Sequence, residues 1–235
     1  MRKYPSKKGP FRFGQFYTDE EFENICTDEL RSAGLHPSEH RPVRIERFIE
    51  KRFGVTPQYE DLGEGVLGLT KFGPKGVQAV IVARSLDEEG TKAAERRIRT
   101  TLAHEAGHGL LHAHLFVLDA AERPLFGDFS DPQAPKILCR DVEGNDNRRP
   151  GYDGRWWEFQ ANRAIGALLL PKQLVFTVLE PFLEPVGLLG MKDLPSGRRD
   201  EAARSLADIF EVNPAVARIR LQHLYPASTE AQLRL

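Results

Sequence analysis

The chain of 235 residues is 40% hydrophobic and 29% charged with no long biased tract, which excludes a mostly disordered chain, a collagen-like one and a coiled coil. Lys plus Arg, 33, nearly cancels Asp plus Glu, 34, so the net charge of −1 creates no global pull toward nucleic acid or anionic lipid and argues against a dedicated DNA-binding protein. The length suits one domain with appendages better than two independent ones.

Residues 1–17 contain Arg2, Lys3, Lys7, Lys8 and Arg12 ahead of the first acidic residue and read as a basic, flexible tail. No apolar segment follows this basic start, and the longest apolar run, 164–170, is too short to span a bilayer. Cys26 and Cys139 form no CxxC pattern, so neither a disulfide framework nor a cysteine-zinc knuckle is indicated, and a cytoplasmic protein is expected.

A single domain is expected over 18–225. Thr18 and Glu21 make a capping box, and Phe22, Ile25, Cys26 and Leu30 follow at helical spacing until Gly34 and Pro37. Cys26 thus reads as a core position. A second helix starts at Pro42, places Ile45, Phe48, Ile49 and Phe53 on one face and stops at Gly54. Residues 66–72 and 77–83 are β-type runs around Gly73, Pro74 and Gly76, which predicts a small, mainly antiparallel sheet. A helix is predicted from Thr91 to about His114. Residues 120–152, dense in Pro, Gly, Asp and Asn, are too long for a connector and read as a lid or insertion. A helix over 156–170 is closed or restarted by Pro171, and 198–224 offers two short helices broken at Asn213-Pro214.

Four of the seven histidines lie between positions 104 and 114. His104-Glu105-Ala106-Gly107-His108 is an HExxH motif on the predicted helix, where residues i and i+4 share one face and both imidazoles can reach one metal. Glu105 points about 100° away from His104, suited to hold water near the metal as a general base without ligating it.

A catalytic zinc takes three protein ligands and keeps one open position. His112 lies about 12 Å along a straight helix from His104, too far for both to join His108 on one ion. The glycine that breaks the helix in HExxHxxGxxH proteins is Leu111 here. His112 and His114 therefore read as flanking, substrate-side or packing histidines. Glu158 opens a strongly helical stretch between Trp157 and Phe159, where it is either a third ligand or a first-turn carboxylate favoured by the helix dipole. Asn162 lies one turn on, placed to fix a ligand histidine's tautomer. Tyr152 and Arg155 are neighbours in sequence and further candidates for the substrate side.

RIRTTLAHEAGHGLLH followed by EFQANRAIGALLLP resembles the paired signatures of the ImmA/IrrE metallopeptidases, and the likeness extends over about 45–224, ending in SLADIFEVNPAVARIRLQHL. It implies a zincin-like, thermolysin-like α+β fold of the gluzincin type, with His104, His108 and Glu158 as metal ligands and Glu105 as general base. The cofactor implied is Zn²⁺, with Mn²⁺ as the other candidate, and the implied substrate is a regulatory protein such as a helix-turn-helix repressor. The chain departs from the pattern at Ala164-Ile165-Gly166 and Leu170, both apolar exchanges. Glu158 also lies 50 positions beyond His108, a longer separation than is common in the family. No N-terminal helix-turn-helix module is recognisable.

Two other readings accompany the peptidase. One is a non-proteolytic regulatory module that binds a repressor or DNA, since the C-terminal helix pair with Arg204, Arg218 and Arg220 has helix-turn-helix-like spacing, although packing against the core is the commoner fate of such a pair. The other is a toxin-antitoxin or secretion-associated effector.

Overall fold

The computed structural model describes residues 2–5, 13–121, 136–140, 155–186 and 191–226. It is a mixed α+β fold. The N-terminal strands β1 (Arg2–Pro5) and β2 (Phe13–Phe16) pair antiparallel, so the segment expected as a loose basic tail contains a docked strand pair. Their partners explain the difference. Gly14 and Gln15 are the buried residues of β2 while Phe13 and Phe16 are exposed, so the pair is held by polar and aromatic contacts that hydrophobic alternation does not reveal.

Helix α1 (Asp19–Ser32) starts at the capping box, where the Glu21 amide donates to Thr18 Oγ1 at 3.2 Å and the Thr18 amide donates to Glu21 at 2.7 Å. Its buried stripe is Phe22, Cys26 and Leu30. Helix α2 (Ile45–Phe53) ends at Gly54, whose φ of 71° is the left-handed cap that a residue without Cβ adopts at least cost.

The central sheet has the order β3-β5-β4-β6, from β3 (Gln58–Glu60), β4 (Val66–Gly73), β5 (Gly76–Ala83) and β6 (Lys136–Arg140). β4 pairs antiparallel with both β5 and β6, and only β3 runs parallel to its neighbour. β6 belongs to the stretch expected as an insertion; residues 122–135 and 141–152 of that stretch lie outside the described residues. Because β6 borders β4, the outer strands of the sheet among the described residues are β3 and β6.

After the short α3 (Arg84–Glu88), α4 (Lys92–Ala121) packs across β4 and β5. It runs past the predicted end near His114 because no Gly or Pro follows Gly109 until Pro124. Residues 101–109 are all buried, as expected of a helix sandwiched between a sheet and a second helix. That second helix is α5 (Trp156–Leu169). A Cβ on Gly107 would lie 2.9 Å from Ala164 Cβ and 3.1 Å from the Ala161 carbonyl, so the glycine inside the HExxH motif sets how closely α5 approaches.

The chain restarts at Pro171 as α6 (Lys172–Leu179), followed by the paired strands β7 (Glu184–Val186) and β8 (Met191–Asp193). Helices α7 (Arg199–Ile209) and α8 (Pro214–Leu224) then close the domain, the Asn213 side chain capping α8 by accepting from the Ala215 amide at 2.9 Å. Leu206, Phe210, Val212, Ala217 and Leu221 of this pair enter the main core. Arg220 is buried, donates to the Leu170 carbonyl and pairs with Glu23, while Arg218 pairs with Asp200. Among the described residues no single helix is long and apolar enough to cross a membrane.

Candidate metal centre

The middle of α4 presents His104 and His108 on one face, and α5 brings Glu158 against them. His104 Nε2 lies 2.9 Å from His108 Nε2, and Glu158 Oε2 lies 3.2 Å from the first and 3.7 Å from the second. The two imidazoles are almost completely buried, whereas the Glu158 side chain is 16% exposed.

Hydrogen bonds behind the imidazoles decide what these three atoms present. His104 Nδ1 is 3.0 Å from Asn162 Oδ1, an acceptor, so the ring proton sits on Nδ1 and Nε2 is left bare. His108 Nδ1 is 3.0 Å from His112 Nδ1, and His112 Nε2 is 3.0 Å from Gln160 Oε1. A neutral His112 that donates from Nε2 accepts at Nδ1, so His108 carries its proton on Nδ1 and its Nε2 is bare as well. Two imidazole lone pairs and a carboxylate oxygen therefore converge with no proton among them. That arrangement calls for a cation, and an N₂O donor set with one carboxylate suits zinc and neighbouring divalent metals.

Charge state agrees with this reading. Burial pushes the Glu158 carboxyl up, while hydrogen bonds and charge from His104 and His108, in the state where these carry protons at Nε2, outweigh burial and hold it well below the usual carboxylate range; with both nitrogens bare, a cation in the same place offsets the burial of the carboxylate. Burial lowers His108 to about 4, so its ring is neutral near pH 7, as ligation requires. His112 is driven well below its ordinary value by the same burial and by His108.

Glu105 faces the sheet. Its Oε2 accepts from Thr70 Oγ1 at 2.6 Å, while its buried Oε1 has no hydrogen-bond partner among the described residues. A buried carboxylate oxygen left in this way is a place for water or a reacting proton. Burial, opposed by His104 and Thr70, raises the Glu105 pKa to about 7, the range of a general base working near neutrality. Gly68 makes this approach possible: a Cβ there would sit 3.0 Å from Glu105 Oε1 and 2.5 Å from Thr101 Cγ2.

His104, His108 and Glu158 are thus brought together, the one group of this kind among the described residues. Glu105 and Asn162 flank them. His112 is buried behind His108, and Trp156 stands edge-on to it with ring centroids 5.4 Å apart. His114 is not at the centre; its Nε2 accepts from Gln15 Nε2 at 2.7 Å. Arg155 is exposed at the N-terminal boundary of α5, outside the ligand group. Tyr152 lies outside the described residues. Sequence reasoning missed Gln160, Thr70 and Gly68. Only Gln160 left a signal, as an uncharged polar residue on the apolar face of a helix, where it needs a partner.

No protein-family model matches this chain, and no curated protein matches it in sequence.

Proposed function

We propose that the chain is a metal-dependent peptidase of the zincin, gluzincin-like type, related to the ImmA/IrrE metallopeptidases, with Zn²⁺ as the favoured metal. The observation that carries the reading is the convergence of three bare donor atoms from His104, His108 and Glu158 beside a buried, half-satisfied Glu105. Zn²⁺ bound at such a donor set acidifies water and polarises a carbonyl oxygen. His104 and His108 supply neutral nitrogen donors in fixed tautomers, and Glu158 supplies the negative charge. Glu105, with a pKa of about 7, takes the proton from the attacking water at its unpartnered oxygen and returns it to the leaving amine. Thr70 holds the other carboxylate oxygen, so the base keeps one orientation through both transfers.

The substrate class follows from the same reading: a regulatory protein such as a helix-turn-helix repressor, cut at one accessible extended segment. Strand addition to a sheet edge would use β6 or β3, the outer strands. Incubation of the purified protein and Zn²⁺ with a repressor encoded beside it should give one discrete cut, lost on chelation and lost in Glu105→Gln. A cut that persists in that variant contradicts the mechanism.

A further inference from the structure

The polar chain behind His108 does not end at Gln160. Gln160 is buried, and its Nε2 lies 2.5 Å from the backbone carbonyl of Gln15 on β2. A peptide carbonyl can only accept, so this end of the Gln160 amide must be the NH₂ group and the other end, facing His112, must be the oxygen. The direction of donation is then fixed along the whole series: His108 Nδ1–H to His112 Nδ1, His112 Nε2–H to Gln160 Oε1, and Gln160 Nε2–H to the Gln15 carbonyl.

The anchor is itself held. Gln15 is 1% exposed, its side-chain oxygen accepts from Tyr17 at 2.5 Å, and its amide nitrogen donates to His114. Tyr4 of β1 stands edge-on to Trp156 at 6.4 Å, and Trp156 in turn packs on His112. The N-terminal strand pair thus closes over the outer end of the series, Gln15 lying 145 positions before Gln160 in the chain.

We infer that His112, Gln160 and the Gln15 carbonyl form a positioning relay through which the N-terminal strand pair sets the tautomer and aim of the ligand His108. This rests on the metal reading above, and its residues touch no substrate. A carbonyl at the far end defines one proton pattern, so His108 presents a lone pair to the metal before the metal arrives. Without the anchor the Gln160 amide can rotate, His112 can carry its proton on Nδ1, and His108 can then be protonated on the nitrogen that should bind.

Three measurements test this. In the unmutated, metal-free protein, imidazole ¹⁵N shifts should place the His112 proton on Nε2 and the His108 proton on Nδ1; a His112 protonated on Nδ1 overturns the relay. In the full-length chain, Gln160→Leu should weaken Zn²⁺ binding, read by competition with a chromophoric chelator, by roughly 10- to 100-fold. The same variant should change the visible spectrum of the Co²⁺-loaded protein, a signature that loss of packing alone does not give. Zinc affinity within twofold of wild type and an unaltered Co²⁺ spectrum overturn the relay. Failure of wild type to bind zinc at all would instead overturn the metal reading, and the ¹⁵N pattern would still decide the relay.

Discussion

Glu105 and its neighbours show how one buried carboxyl can be both a cost and a tool. In the metal-free protein its pKa of about 7 stands against an ordinary 4.5. Below 4.5 both folded and unfolded chains hold the proton and the shift is without effect. Between 4.5 and 7 only the folded chain keeps it, so the Glu105 contribution to stability falls as pH rises and is lost above 7. Glu105→Gln removes that dependence. The metal-free variant should gain on wild type by roughly 3 kcal/mol between pH 4.5 and pH 8 in urea unfolding, and a difference independent of pH contradicts a buried, high-pKa carboxyl. Asn162→Ala frees the His104 Nδ1 proton and should weaken zinc binding by roughly tenfold or more, measured by chelator competition. At this scale the sequence was informative where chemistry is local. His104, Glu105 and His108 are one motif. Glu158 and Asn162 were placed on one face of a helix by spacing, but the partner of that face was not. Gln160 and Thr70 stayed hidden because their partners lie 48 and 35 positions away, and no local periodicity encodes such a meeting.

Elements were legible in proportion to their hydrophobic period and their punctuation. The capping box at Thr18, the left-handed Gly54, the β4–β5 connection and the restart at Pro171 are all written locally, and each occurs where the residues put it. The strand pair β1–β2 was not legible, since its buried positions are Gly14 and Gln15. β6 was obscured by the Pro- and Gly-dense sequence around it. The approach of α4 to α5 depends on small residues facing each other, which periodicity registers only as apolar. Gly107→Ala tests that approach. In a free helix the change would stabilise by about 1 kcal/mol, but here the new methyl meets Ala164 Cβ and the Ala161 backbone. Overpacking of this kind costs about 1–3 kcal/mol. The expected result is a lower Tm together with weaker zinc binding, because Glu158 rides on α5. An unchanged Tm and zinc affinity would show that the two helices have room to separate.

For the whole molecule, the centre ties together segments far apart in the chain: α4 and α5 supply its three donor atoms, β4 holds Glu105 through Thr70, and β2 reaches it through the Gln15 carbonyl, three hydrogen bonds out from His108. A metal held where these segments meet stabilises only the folded state. At a free Zn²⁺ concentration 1,000 times Kd the gain is about 4 kcal/mol, which for a chain of this size corresponds to a Tm rise on the order of 10 °C, reversed by a chelator and visible by calorimetry. Near-neutral net charge disguised this organisation, since the four clustered histidines contribute nothing to a formal count. The most direct measurement is the metal content of the purified protein after equilibrium dialysis against Zn²⁺, wild type beside Glu158→Gln. A single zinc per chain in wild type and near-complete loss in the variant is the expected result. Full occupancy in Glu158→Gln, or none in wild type, would contradict a centre built from His104, His108 and Glu158.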